Sequence, residues 1–503
     1  MNCLRTNQWD SLKAARFDVL IIGGGVSGAC LFHHLSGAGY RVLLIDKGDF
    51  ASATSQSSAM MIWGGLLYLK HLRLGTVWRL CGSRNSLLEE RSACVKPQAF
   101  RYLVSSHRPG KRLLVNSALH SYWLLGRCRG ERPRRDQQFP EIDFLKSTEF
   151  VDSFVYEEAM LDSSDARFAL QWVLAPRNAH SHAVNYCSAE SLNFKLAERT
   201  WSVDLQDHLR PGVAAQVSSR LIVNCAGPWA DEVNQGFGVQ SPFKHVLSKG
   251  VFVGMRRFPA HEQPLIMDTA NGKDCMSLIP WGPISLWGPT ETCETNLGDA
   301  GHVTAADVTN LLTELNRWLP NSRGADDIVS IRNGVRALVV HKDSAPTKST
   351  LQLSRKFKIH SNRQAPWVSV YGGKITDCVR LAQTVVASVM KQIGPARSNG
   401  GNSQSVNGAY QFALFPGLST KVPSVRFCVE REACWTLEDY LRRRTNIAQW
   451  VPRGGLGRDN ENREYIKRIA EELPSLNTAE TAEDRVGRYE EKIRQFDQLL
   501  ASC

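Results

Sequence analysis

The sequence predicts an α/β fold, and three observations carry that prediction. From Phe17 the chain reads "FDVLIIGGGVSGACLFHHLSGAGYRVLLIDKG": an apolar run, Gly23-x-Gly25-x-x-Gly28, a helix-period segment, a second apolar run and an acid. Far downstream, Ala479 to Leu500 carries a charged helical pattern. At 503 residues, with 43% hydrophobic and 22% charged, the chain is an ordinary globular protein long enough for a large core and two to four domains.

The first unit is strand, turn, helix, strand. Val19 to Ile22 forms the first strand, a helix runs through Leu35, and Val42 to Ile45 forms the second strand, closed by Asp46. Gly23 allows the tight turn, Gly25 lets backbone approach a pyrophosphate, and Gly28 lets helix pack on strand. The pyrophosphate would sit at the helix N-terminus, where unpaired N–H groups and the dipole favour negative charge. Asp46 would accept hydrogen bonds from ribose hydroxyls. NAD and FAD both fit this unit. The run "KGDFASATSQSS" after Asp46, rich in small hydroxyl residues where a nicotinamide domain would begin its next βα unit, favours FAD.

Next comes "SSAMMIWGGLLYL", Ser57 to Leu69, which has the Gly64-Gly65 pair of a loop beside a cofactor and no charge at all. The net charge of +12 is concentrated instead in His107 to Arg135 and Leu441 to Arg453. Each segment is read as a solvated, internally paired face or as contact with an anionic surface. Within the first, Leu113 to Gly126 is apolar and aromatic, the pattern of a core helix or of one lying in a membrane interface. No nucleic-acid partner is expected. Thirteen cysteines without a Cys-x-x-Cys pair predict free thiols and neither a metal site nor a disulfide framework. No apolar run reaches the roughly 18 residues of a membrane span, and the polar stretch before Phe17 lacks the apolar centre of a signal peptide. A cytoplasmic protein, soluble or peripheral at the inner face of the membrane, is expected.

Taken in order, "IIGGGVSGA", "DFASATS", "GGLLYL", "FVYEEAMLDSSDARFAL", "LIVNCAGPWADEV", "LSKG", "IPWG", "NGVRALV", "YGGKITDCVRLAQ" and "ACWTLEDYLRRRT" make the chain resemble the FAD-dependent glycerol-3-phosphate dehydrogenases, within the D-amino-acid-oxidase-like flavoproteins. The resemblance covers nearly the whole chain. It implies a discontinuous Rossmann-like FAD domain at 15–80, 155–240 and 330–395, and a substrate domain with a mixed or antiparallel sheet at 81–154 and 241–329. A linker at 394–412 and a helical C-terminal domain at 413–503, with a helix start at Thr436-Leu437-Glu438-Asp439, complete the expectation.

The resemblance also assigns residues. Beside Gly23, Gly25, Gly28 and Asp46, the cofactor site would take Lys47, Ser52, Thr54, Ser55, Gly64 and Gly65. Val184 would meet the adenine through its backbone, Ala226 and Gly227 end a strand near the cofactor, and Gly372, Gly373, Lys374, Ile375 and Thr376 would close over the flavin ring. Arg336 and Lys374 are the cations expected on the substrate side, with Tyr68 and Thr290 placed to orient a hydroxyl. His245 and His341 lie near matched motifs and are read as structural.

Four family positions depart. Where the family usually reads S-S-K-L-I-H-G-G-L-R-Y-L, this chain has Met60, Trp63 and Leu67 in place of lysine, histidine and arginine, and Phe252 stands where a second histidine follows a Lys-Gly pair. The resemblance therefore implies an FAD-dependent dehydrogenase or oxidase acting on a C–OH or C–N carbon of a small molecule other than glycerol 3-phosphate. Oxygen, a quinone or another acceptor would reoxidise the flavin. Two alternatives stand beside it: glycerol 3-phosphate oxidation through a rearranged pocket, and a non-catalytic FAD-binding paralogue.

Overall fold

A computed structural model of the chain describes residues 3–107, 110–176, 178–272, 274–344, 356–362, 364–396, 411–475 and 480–503. Its centre is a parallel sheet built from separate stretches of sequence. Arg16–Ile22 lies between Val42–Ile45 and Ala214–Asn224, and Trp367–Tyr371 and His182–Val184 extend the sheet on either side, all in parallel register. Such strands are covered on both faces, which is why Val19, Leu20, Ile21, Val42, Leu43 and Leu44 are apolar without alternation and fully buried. The helix Val26–Gly37 packs against Cys378–Ile393 and Asp165–Val173 over one face.

The second sheet is mostly antiparallel. Its long ribbons are Phe243–Arg256 with Ile328–His341, and Val95–Ser105 with Phe150–Leu161. Two strands expected on the cofactor side, Met61–Ile62 and Ile328–His341, pair into this sheet instead. Residues 334–339 of the second line the cleft between the sheets, while its pairing partner Phe243–Arg256 belongs to the mostly antiparallel sheet.

The C-terminal helices Val425–Arg431, Arg463–Glu472 and Ala482–Ala501 enclose a core of their own around Cys428, Leu441, Ile466 and Val486. Thr481 caps the last helix with a reciprocal Thr481–Asp484 pair of bonds. The expected helix start at Thr436 is present, its hydroxyl bonded to Asp439 at 2.7 Å. Most of the expected linker, 397–410, lies outside the described residues. Of the two readings of the second basic segment, internal pairing holds for Arg443 and Arg444. Arg443 and Arg444 are buried against Asp49 and Asp439, so the Leu441 to Arg453 stretch spends these two charges inside the protein and presents them to no anionic surface. No helix among the described residues is long and apolar enough to cross a membrane.

Candidate functional site

A cleft of about 1020 Å³ opens between the two sheets, at the upper limit of roughly 300–1,000 Å³ for small-molecule sites. One end is the glycine turn. Gly23 has φ +106°, and a Cβ there would stand 2.6 Å from the Cys225 carbonyl, while a Cβ on Gly28 would collide with the Gly23 carbonyl. No other residue fits at either position without moving backbone. Gly25 is the N-cap of the helix Val26–Gly37 and offers no side chain there, so the first turn of the helix reaches the cleft wall at Gly25, Val26 and Ser27. Asp46 accepts from Gly24 N–H at 2.7 Å and Gly48 N–H at 2.9 Å. Burial pushes its pKa up to about 6 even against those two donors. The hydroxyl run follows: Ser55 Oγ accepts from Val26 N–H at 2.9 Å, and Thr54 Oγ1 donates to the Val335 carbonyl at 2.6 Å. Lys47 lies 5.2 Å from the centre of the Trp229 ring.

The other end of the cleft carries Arg336, Lys374 and Tyr68. Arg336 crosses directly over Gly250 on the paired strand, where a Cβ would sit 2.7 Å from its guanidinium carbon. Its Nη1 donates to Ser248 Oγ at 3.4 Å and lies 3.9 Å from a carboxylate oxygen of Glu291. Lys374 Nζ stands 4.5 Å from the Tyr68 ring centre and 5.7 Å from that of Trp63, a cation held on aromatic faces. The Thr376 hydroxyl donates to the Trp63 carbonyl at 3.2 Å, tying the closing loop to the uncharged one.

Of the residues singled out in the sequence, Gly23, Gly25, Asp46, Lys47, Ser52, Thr54, Ser55, Ala226, Gly227, Gly372 to Thr376, Tyr68 and Arg336 line the cleft. Gly28, Gly64, Gly65, Val184 and Thr290 stand behind it. Gly64 N–H donates to Glu158, and a Cβ on Gly64 would run into Tyr122, itself part of a buried network with Arg84 and Glu158. Gly65 has φ +90° and starts the turn Leu66–His71. The Val184 carbonyl receives Asp46 N–H. Thr290 Oγ1 accepts from Val251 N–H at 3.0 Å, so its hydroxyl is engaged with backbone and its neighbour Glu291 reaches the cleft instead. His245 bonds Gly372 N–H and Asp231 beneath the closing loop, and His341 pairs with Asp343 on the surface.

Trp63, Leu67 and Phe252 all line the cleft, whereas Met60 is fully buried in the core beside it. Sequence reading missed Glu291, Lys70, Cys275 and Lys356, also on the wall. None sits in a local motif; they meet only because distant strands and loops pair.

Residues 18–354 match the family model described as FAD dependent oxidoreductase. The chain is 27% identical to a glycerol-3-phosphate dehydrogenase of Pseudomonas tolaasii over 378 residues, 74% of this chain and 71% of that one. It is 26% identical to the aerobic glycerol-3-phosphate dehydrogenase of Staphylococcus aureus (strain MRSA252), over 76% of this chain and 68% of that one. Among solved structures, glycerol-3-phosphate dehydrogenase from Bacillus halodurans complexed with FAD superposes with a TM-score of 0.70 and 19% identity, covering 99% of this chain and 98% of that one.

Proposed function

The chain belongs to the FAD-dependent oxidoreductase family, with FAD as its cofactor, and from that premise we propose that it oxidises a C–OH or C–N carbon of a substrate other than glycerol 3-phosphate. The fit to FAD rests on the cleft itself: the Gly23 and Gly28 positions that admit no Cβ, the helix N-terminus that begins after Gly25, and the half-buried Asp46 carboxylate on the cleft wall. FAD, when bound, supplies the redox chemistry; the protein supplies orientation and electrostatics.

The observation that carries the substrate reading is that Trp63, Leu67 and Phe252 line the same cleft as Arg336 and Lys374, with Lys374 set against the Trp63 ring. Arg336 presents a planar fork of donors suited to a carboxylate or phosphate oxygen. Ser248 and Glu291 stand beside it, while Trp63, Leu67 and Phe252 give the cleft an apolar stretch of wall that favours a bulkier substrate. Among the described residues His71 is the one histidine lining the cleft, and it lies at an exposed position. An alcohol needs a group to take its hydroxyl proton; a neutral amine does not, which favours C–N oxidation. The names of the relatives, together with Arg336 and Lys374, support glycerol 3-phosphate as the second reading. Anaerobic reduction of the bound flavin by a panel of polyols, sugar phosphates, hydroxy acids and amines separates the two. Fast reduction by glycerol 3-phosphate alone overturns the first.

Peripheral membrane attachment has its own support. Leu113 and Leu114 on the helix Lys111–Leu125 are exposed at 76% and 64%, and Leu72, Leu74 and Trp78 are exposed on the segments packed beside it. Arg127 lies over the Trp78 ring. Much of the neighbouring charge is paired, as in Arg112 and Arg135 with Asp152, so apolar area rather than net charge would do most of the anchoring.

A further inference from the structure

The peptide between Trp63 and Gly64 is held at both of its polar groups. Its carbonyl, on Trp63, accepts from the Thr376 hydroxyl of the closing loop at 3.2 Å. Its N–H, on Gly64, donates to Glu158 Oε2 at 3.3 Å. In a trans peptide these groups point in opposite directions, so the two bonds together fix the plane. The strand Phe150–Leu161 explains why a carboxylate stands there. Met61 pairs with Met160 and Ile62 with Ala159. The ladder ends at Ile62, and the next residue of the partner strand, Glu158, takes the Gly64 N–H with its side chain instead of its backbone.

Glu158 is itself held from behind. Arg84 Nη1 donates to its Oε2 at 3.2 Å and to the Tyr122 hydroxyl at 3.2 Å, and that hydroxyl donates to Glu158 Oε1. Cys81 Sγ donates to the Gly64 carbonyl at 3.7 Å. A Cβ on Gly64 would meet the Tyr122 hydroxyl and the Cys81 sulfur, so the same packing leaves the peptide no room to turn aside. The Arg84 and Glu158 side chains are 6% and 0% exposed. An ion pair this deep is weak evidence for stability, because apolar residues of similar volume commonly serve as well or better. Apolar residues cannot accept an N–H. Arg84, Tyr122 and Glu158 are not among the residues lining the cleft, so contact with substrate does not account for them either. What the held peptide carries is Trp63, whose indole lines the cleft with its ring centre 5.7 Å from Lys374 Nζ.

We propose that Glu158 is a positioning residue for the substrate wall: through the Gly64 N–H, and opposite Thr376, it fixes the Trp63–Gly64 peptide and so the direction in which Trp63 enters the cleft. The proposal rests on the oxidoreductase reading above and names what sets the shape of its pocket. Arg84 and Tyr122 act one step further back, by holding the carboxylate.

The test uses the FAD-loaded protein with two readings. Amide hydrogen exchange reports the grip on residues 57–69 and 372–376 without any substrate. The ratio of KM values for the smallest and the bulkiest panel compounds that reduce the flavin reports the wall. Glu158→Leu combined with Arg84→Met removes the acceptor and the charge it would otherwise leave unpaired. This double variant should exchange about tenfold faster in the two segments and at the parent rate elsewhere, and the KM ratio should shift by about tenfold with FAD content unchanged. Glu158→Gln, which keeps an oxygen for the Gly64 N–H, should restore most of both. Thr376→Val should act in the same direction, and its effect should add less than fully to that of the double variant, since both loosen one peptide. If the double variant does not fold, Thr376→Val, which leaves the buried pair in place, decides by the same readings. Exchange unchanged in the two segments, or faster exchange with an unchanged KM ratio, overturns the positioning role; a purely structural role would speed exchange throughout the chain and leave the ratio alone. Flavin reduction by no panel compound would remove the oxidation reading, while the exchange result would still decide whether Glu158 holds the peptide.

Discussion

Arg444 and Asp49 form a two-pronged ion pair at 2.6 and 2.8 Å, completely buried on the acid's side, across 395 residues of sequence. Arg443 adds a third bond to the same carboxylate at 2.6 Å and another to Gln56 at 3.2 Å. Asn185, next to Val184, donates to Asp49 as well. The C-terminal helical region thus holds the hydroxyl loop from behind while its other face lines the cofactor cleft. Burial alone would raise the Asp49 pKa, but the Arg444 and Arg443 charges overcome that and hold it down to about 2.

Asp49→Ala leaves Arg444 buried without its carboxylate and Arg443 with only Asp439 and Glu438, a loss of about 3–5 kcal/mol for breaking a buried pair. We expect a lower melting temperature and, because the loop is loosened, faster release of FAD on dilution. Melting curves of the loaded protein and flavin fluorescence after gel filtration check both; a variant that melts and retains FAD as before would show that the clasp is incidental. For the unmutated protein, a carboxylate with a depressed pKa contributes stability that is present above the unfolded value near 4 and lost as pH falls towards 2.

Asp46 predicts the opposite end of the acid range for cofactor binding. Its carboxylate is raised to about 6 by burial, and ribose hydroxyls donate best to the ionised form. FAD affinity is therefore fully present above pH 6 and falls as pH drops through that value, by at most about tenfold per unit. In the unloaded protein the sign reverses: the raised pKa means the folded state holds the proton more tightly than the unfolded state, so this group's contribution to stability declines as pH rises from about 4 to 6. Asp46→Asn should weaken FAD binding by roughly 1–3 kcal/mol and flatten its pH dependence. A steep dependence that survives in the variant would point to another group.

What could be read from the sequence was what is local. Gly23, Gly25, Gly28 and Asp46 fall within one βαβ unit, where spacing alone fixes geometry, and the strand and helix found there agree with the expected ones. Residues assigned through the resemblance divide: Arg336 and Lys374 reach the cleft, while Thr290 is turned to Val251 and its neighbour Glu291 replaces it on the wall. The Arg444–Asp49 clasp was not legible, because it joins residues 395 positions apart through tertiary packing. For "LRRRT" the sequence left internal pairing and an anionic surface both open, because a triplet of arginines does not say which acids stand beside it; the pairing with Asp49 and Asp439 is the one found.

Gly250 gives a test of Arg336 that leaves its charge in place. Gly250→Ala puts a methyl group where the guanidinium now lies, so the head group must shift while FAD contacts at the far end of the cleft are untouched. A misplacement of about 1 Å can cost on the order of a hundredfold in rate. We expect flavin reduction by the best panel substrate to slow by roughly that factor with FAD content unchanged. Equal slowing in Arg336→Ala would tie the effect to the arginine; undiminished reduction in both variants would remove Arg336 from the substrate side.

The exposed apolar patch predicts binding to vesicles. Leu113→Ser combined with Leu114→Ser should reduce co-sedimentation with phosphatidylglycerol-containing vesicles, since each buried leucine contributes about 1.5–3 kcal/mol. Raising salt should weaken binding only partly, because neighbouring arginines are already paired. Binding that is absent in the unmutated protein, or that vanishes completely with salt while ignoring the serine substitutions, would contradict attachment through this patch.

The uncharged loop yields the final prediction. Trp63 and Leu67 face the cleft, whereas Met60 is fully buried away from it, so of the three replaced positions on that loop two bear on substrate and one on packing. Losing a charged hydrogen bond to a phosphate forfeits about 1.5–3 kcal/mol, one to two powers of ten in affinity. Glycerol 3-phosphate should therefore reduce the flavin poorly compared with a bulkier alcohol or amine. Trp63→His with Leu67→Arg should improve the reaction with glycerol 3-phosphate and impair it with the preferred substrate, whose wall it removes. Met60→Lys should instead destabilise the protein without any gain, because it places an amine in the apolar core. Equal flavin reduction by glycerol 3-phosphate in the unmutated protein and the double variant would mean that Arg336 and Lys374 already hold the phosphate, and that the loop's loss of charge has no bearing on substrate choice.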